Sequence, residues 1–112
     1  MDDDLDYVYS MALIIRTLGC EADFAINATA ALPAARRFQP HVVLLDVGLP
    51  DGDGRALARP LRQEPGLDNT RIYCVTARGH EERSRSLEAG CDDHFVKPLE
   101  PRFLASLLDA DY

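Results

Sequence analysis

The sequence predicts a single wound α/β domain built on a parallel sheet. The 112 residues, 46% of them hydrophobic, suffice for one core and not for two. The run VVLLD (Val42 to Asp46) carries four consecutive aliphatic residues and no polar face, as a strand covered on both sides requires. Strand-like and helix-like segments then alternate to the end of the chain, the pattern of parallel strands joined by right-handed helical crossovers.

The elements follow in order. Leu5, Val8, Met11, Ile15 and Leu18 recur at three- and four-residue steps, which predicts an amphipathic helix capped by Asp4 and stopped by Gly19. In EADFAI the alternation of Ala22, Phe24 and Ile26 predicts a short strand. A second helix is expected from about Thr29 to Phe38, with Pro33 in its first turn, where a missing N–H costs little. Pro40 punctuates the entry to VVLLD, and a loop of Gly, Pro and Asp leaves it. Arg55 to Gln63 should be helical, with Pro60 kinking or ending it at a cost of up to about 3 kcal/mol. RIYCVTA and DHFVKP read as two further strands, separated by the polar helix HEERSRSLEAG, which stops at Gly90. EPRFLASLLDADY supplies a last helix with Phe103, Leu104, Leu107 and Leu108 facing inward.

Composition excludes several functions. A formal net charge of −7 opposes direct nucleic-acid binding, which needs clustered Lys and Arg. The acidic start MDDDLD is no signal region, and no apolar run reaches membrane-spanning length, so a cytoplasmic protein without membrane contact is expected. Cys20, Cys74 and Cys91 share no paired spacing, which predicts reduced thiols that pack as small apolar side chains. His41 and His80 read as loop or cap residues.

Ligands of open parallel sheets bind beyond the carboxyl ends of the strands, and three of those ends carry Asp46, Thr76 and Lys97. Asp2 and Asp3, just ahead of the first helix, join them. Clustered carboxylates need a cation, and oxygen-only ligands with room for water suit Mg²⁺. Such a metal leaves an aspartate oxygen free to attack phosphorus, while Lys97 and Thr76 hold phosphoryl oxygens. Asp46 is therefore the candidate phosphoryl acceptor.

The acid pair in MDDDLD, the acceptor in LLDVGLPDGDG, the hydroxyl in VTARG and the segment EAGCDDHFVKPLEP, in that order, resemble the receiver domains of two-component response regulators over nearly the whole chain. The resemblance implies a receiver domain over 1–112 with a flavodoxin-like, doubly wound parallel sheet of strand order 2-1-3-4-5. It further implies that Asp46 is phosphorylated and that Asp3, Asp46 and the backbone carbonyl of Gly48 ligate Mg²⁺, with Asp2 acting through water. By the same resemblance Thr76 is the switch hydroxyl, Lys97 the ammonium that contacts the phosphoryl group, and Lys97–Pro98 a cis bond. Two departures stand out. The family opens with an aliphatic strand, whereas here only Met1 precedes Asp2, so strand 1 is expected to be absent or truncated, leaving a slot that another segment or chain could fill. His94 stands where the family carries an aromatic switch residue, so the switch pair here is Thr76 and His94.

The expected function is a phosphorylation-controlled signalling switch, not an enzyme beyond its own phosphoryl transfer and hydrolysis. A histidine kinase or phosphotransfer protein would donate the phosphoryl group, and a downstream effector protein would read the altered face; a homodimer is compatible with this. No output domain follows Tyr112, which implies regulation through partner binding or a chain that is a fragment of a longer protein. The alternative is a pseudo-receiver that binds partners without phosphoryl chemistry. An aspartyl-phosphate phosphatase would need a second acid where Gly48 stands, and a nucleotide enzyme would need a Gly-rich phosphate loop.

Overall fold

A computed structural model describes residues 1–2, 4–77 and 82–108. In chain order its elements are α1 (Leu5–Thr17), α2 (Ala28–Phe38), β1 (Val42–Asp46), the two-residue strands β2 (Gly48–Leu49) and β3 (Gly52–Asp53), a 3₁₀ turn (Gly54–Leu57), α3 (Ala58–Gln63), β4 (Arg71–Thr76), α4 (Arg83–Glu88), β5 (Asp93–Val96) and α5 (Pro101–Leu107). The main sheet is parallel, in the order β1-β4-β5, with Asp46 opposite Val75 and Cys74 opposite His94.

One face of this sheet holds the core. Val43, Leu45, Ile72 and Cys74 pack there against Ala31, Ala34 and Ala35 of α2 and against Leu57, Ala58 and Leu61. The small alanines let α2 approach closely, so β1 is covered by backbone as much as by side chain. Asn27 caps α2 by accepting from the Ala30 N–H at 2.8 Å.

Several expectations need correction. EADFAI forms no strand. A strand exists through its ladder, and between this segment and β1 lie only Met1 and Asp2. Asp2 donates its N–H to the Ala25 carbonyl at 3.0 Å, the Met1 amino group donates to the Leu44 carbonyl at 2.6 Å, and Asp46 donates to the Met1 carbonyl at 2.9 Å. Two residues thus hold the central position at the carboxyl end of the sheet, and among the described residues the rest of that position has no strand. Pro33 lies in the second turn of α2, as its sixth residue. Pro60 falls in the first turn of α3, because a 3₁₀ turn occupies Gly54–Leu57 and delays the α-helix until Ala58. Phe103 is exposed and stacks edge-on against Phe95 at 4.9 Å; Leu104 and Ala105 are the buried residues of α5. Leu5 is exposed too, while Val8 and Ala12 carry the buried face of α1.

The thiols also differ from expectation. Cys74 and Cys91 form a disulfide, with Cα atoms 6.3 Å apart, and Cys20 is free. Their separation of 17 residues says nothing of proximity. The crossover through α4 returns the chain beside β4, and that places the two side chains in bonding range.

Candidate functional site

Asp46 ends β1, Thr76 ends β4, and Lys97 follows β5, so one end of the sheet collects the three strand-end groups. Lys97 donates its backbone N–H to the Thr76 carbonyl at 2.8 Å, and the peptide bond after it, to Pro98, is cis as expected. The Lys97 ammonium lies 2.5 Å from Asp2 Oδ2 and 3.7 Å from Asp46 Oδ1, so two carboxylates share one cation. The Tyr7 ring packs against this ammonium, 4.5 Å from centroid to Nζ.

Burial alone would lower the Lys97 pKa. The hydrogen bond to Asp2 and the charges of Asp46 and Asp2 outweigh it and raise the pKa. The Met1 amino group behaves oppositely: burial pushes it down to about 6 despite the neighbouring carboxylates.

The loop after Asp46 is held at three points. Asp46 Oδ1 accepts the Gly48 N–H at 3.3 Å, an Asx turn that orients the carboxylate. Asp51 accepts the N–H groups of Ala28 and Thr29 at 2.8 and 3.1 Å, tying the loop to the start of α2. At Gly54 the chain passes so close to β1 that a Cβ would lie 1.9 Å from the Asp46 carbonyl oxygen. Only glycine fits there.

The expected metal ligands are partly placed. Asp2 is buried and Asp46 half-buried, both directed at Lys97, and Gly48 is exposed beside them. Asp3 lies outside the described residues, and among the described residues no three His, Cys, Asp or Glu side chains converge. The donors present are all oxygen, which fits a hard cation such as Mg²⁺.

Thr76 is buried. The register puts Cys74 opposite His94 and Thr76 opposite Val96, so Thr76 and His94 lie on one face of the sheet as diagonal neighbours. His94 is fully buried, its Nδ1 2.7 Å from Ser86 Oγ on α4. Of the surface expected to change on switching, 78–81 lie outside the described residues.

Four contributors are not legible as site residues in the sequence: Tyr7, Ser86, Gly54 and the Met1 amino group. The second glycine of PDGDG is a visible signal for Gly54. The other three act through tertiary neighbours that spacing does not reveal.

Residues 1–109 match the family described as response regulator receiver domain. The chain belongs to the response regulator receiver family. This receiver domain is 37% identical over 101 residues to the transcriptional regulatory protein PrrA of Mycobacterium leprae (strain TN), covering 88% of the chain and 42% of PrrA. It therefore spans less than half the length of that relative. Among solved structures, a response regulator described from Chloroflexus aurantiacus superposes with a TM-score of 0.86 at 31% identity, covering 97% of this chain and 90% of that one. The BeF3-activated N-terminal receiver domain of Klebsiella pneumoniae RstA superposes with a TM-score of 0.84 at 28% identity, covering 96% and 91%. The receiver is thus a flavodoxin-like regulatory domain of two-component signalling. Among its described residues no helix is long and apolar enough to cross a membrane.

Proposed function

We propose that Asp46 accepts a phosphoryl group from a histidine kinase or phosphotransfer protein and that the modified receiver engages an effector protein. The observation that carries this reading is the meeting of Asp46 and Asp2 at the Lys97 ammonium, at the carboxyl end of the parallel sheet. An oxygen of Asp46 attacks phosphorus of the donor phosphohistidine. The O–P bond forms as the N–P bond breaks, and the electron pair stays on the departing imidazole nitrogen. Lys97, already 3.7 Å from Asp46, holds an oxygen of the incoming group, and the Asx turn at Gly48 keeps the carboxylate aimed. Asp3, Asp46 and the Gly48 carbonyl would hold Mg²⁺, with Asp2 acting through water; the bound ion supplies charge screening for the phosphoryl group.

Thr76 then donates its hydroxyl to the new group. Its movement is felt by His94, which shares its face of the sheet and is anchored to α4 through Ser86. That the RstA receiver is BeF3-activated supports an acceptor carboxylate at the matching place.

The test is acetyl phosphate with Mg²⁺, read by intact-protein mass spectrometry. Wild type gains one phosphoryl group, and Asp46→Asn falls to background. Modification that survives in Asp46→Asn removes the assignment. A wild type that takes up none under these conditions is an interaction module without phosphoryl chemistry.

A further inference from the structure

Cys74 and Cys91 close a ring of contacts around His94. Cys74 stands opposite His94 in the β4–β5 ladder, and the fully buried His94 ring meets Ser86 Oγ through Nδ1 at 2.7 Å. Ser86 is the third residue from the end of α4, and its carbonyl accepts the Cys91 N–H at 3.1 Å, while the Leu87 carbonyl accepts the Gly90 N–H at 3.1 Å. With Gly90 at φ 109° these two bonds form a Schellman stop, which gives Cys91 a fixed place just past the helix. The disulfide then returns from Cys91 to Cys74. One covalent bond thus joins β4 to the end of the helix that carries the partner of His94.

The fold does not depend on this bond. Both cysteines belong to the continuous apolar core, and as thiols they would pack there as small apolar side chains. The pair therefore has two states, disulfide and dithiol, on one fold. What differs between them is the freedom of α4. This helix has six residues and no side chain caps its N-terminus, so it opens by local unfolding. The segment after it is fixed: Arg62 donates to the Gly90 carbonyl at 3.1 Å and pairs with the Asp92 carboxylate, which also accepts the Ile72 N–H at 2.8 Å. The disulfide closes the loop that contains α4, its ends 17 residues apart in sequence, and so reduces the entropy that opening gains. Opening of α4 also uncovers Cys91, the less buried of the two sulfur residues.

We propose that Cys74 and Cys91 are a reversible redox pair, with a small dithiol as reductant, and that the disulfide locks α4 and His94 against the movement that follows phosphorylation of Asp46. The second part rests on the acceptor role proposed above. In reduction, a thiolate of the dithiol attacks Cys91 Sγ. The S–S bond breaks, and Cys74 leaves with the electron pair and takes a proton. The second thiol of the reductant then displaces Cys91 from the mixed disulfide, so two electrons pass to the pair and the reductant departs as its own disulfide.

The test holds the chain in oxidised or reduced dithiothreitol and reads amide hydrogen exchange at Gly90 and Cys91. Arg71, whose N–H bonds the His41 carbonyl, is the reference. Alkylation after denaturation should count one thiol, Cys20, in the oxidised chain and all three in the reduced one. Gly90 and Cys91 are expected to exchange on the order of 10-fold faster in the reduced chain, with Arg71 unchanged. Cys74→Ala and Cys91→Ala should match the reduced chain in both buffers. Excess acetyl phosphate with Mg²⁺ should alter exchange at Gly90 and Cys91 in the reduced chain and leave it within about twofold in the oxidised one. Three alkylated thiols in both buffers, equal exchange in both, or an equal response to acetyl phosphate overturns the proposal. So does loss of Arg71 protection on reduction, since the bond then staples the whole fold. A chain that takes no label on Asp46 in either state fails the acceptor reading instead; there the 10-fold difference alone supports the lock, and its absence overturns it.

Discussion

Leu44 and Leu45 are adjacent residues of one strand, yet Leu45 has 0% exposure while Leu44 is only half-buried. The difference belongs to the faces they serve. The face with α2 and α3 is closed: alanines bring α2 down on β1, and a continuous set of apolar side chains fills the space between. The face with α1 and α5 covers the sheet thinly at β1, opens into the slot, and carries Asp46 and Lys97 at its end. Stability resides in the first face and accessible charge in the second. A phosphoryl site needs that division, because a carboxylate enclosed in the closed face would meet neither its donor nor a cation.

The contrast is broken most directly at the two leucines. Leu45→Ala should cost about 2 to 5 kcal/mol, the range for a large-to-small change in a filled core, whereas Leu44→Ala should cost about 1 kcal/mol, because the slot already exposes that side chain. Urea unfolding of both variants checks this, and equal losses would mean that the slot is filled in solution. Next in size is Ser86→Ala, which removes the hydroxyl partner of the fully buried His94. About 1 to 3 kcal/mol should be lost, and under the proposed acceptor role acetyl-phosphate labelling of Asp46 should persist, since the Ser86 hydroxyl bonds His94 and not Asp46. Loss of labelling with an intact fold would place the acceptor under the control of both faces.

The smallest effect belongs to the rim. Arg55 holds the Asp53 carboxyl below the usual carboxylate range through a side-chain hydrogen bond. A carboxylate depressed in this way contributes stability above its unfolded pKa, near 4, and the contribution is lost as pH falls through its folded value. Arg55 is buried but the Asp53 carboxylate is half-exposed, so solvent screening leaves at most about 1 kcal/mol. Thermal melts between pH 7 and 3 should show a slightly shallower acid limb in Asp53→Asn than in wild type.

VVLLD is legible as a doubly covered strand because four aliphatics in succession leave no alternative face, and the polar groups at three strand ends are legible because chain order alone puts them at one end of a parallel sheet. EADFAI shows the opposite case. Its alternation is real, but a strand needs a ladder, and whether a partner lies beside it is not local information. Pro60 departs from expectation for a related reason: the helix begins where a 3₁₀ turn ends, and the close approach of Gly54 to Asp46 sets that point.

The class of fold, the placing of Asp46, Thr76 and Lys97 at one end of the sheet, and the family are all legible in the sequence, because each is written in local order and spacing. That Asp2 and Asp46 share one ammonium, that His94 turns inward onto Ser86, that Cys74 bonds to Cys91 and that β1 borders an open slot emerge only from the folded chain. These features depend on distances between residues far apart in the chain. Those distances follow from how the helices cover the sheet, which no single segment encodes.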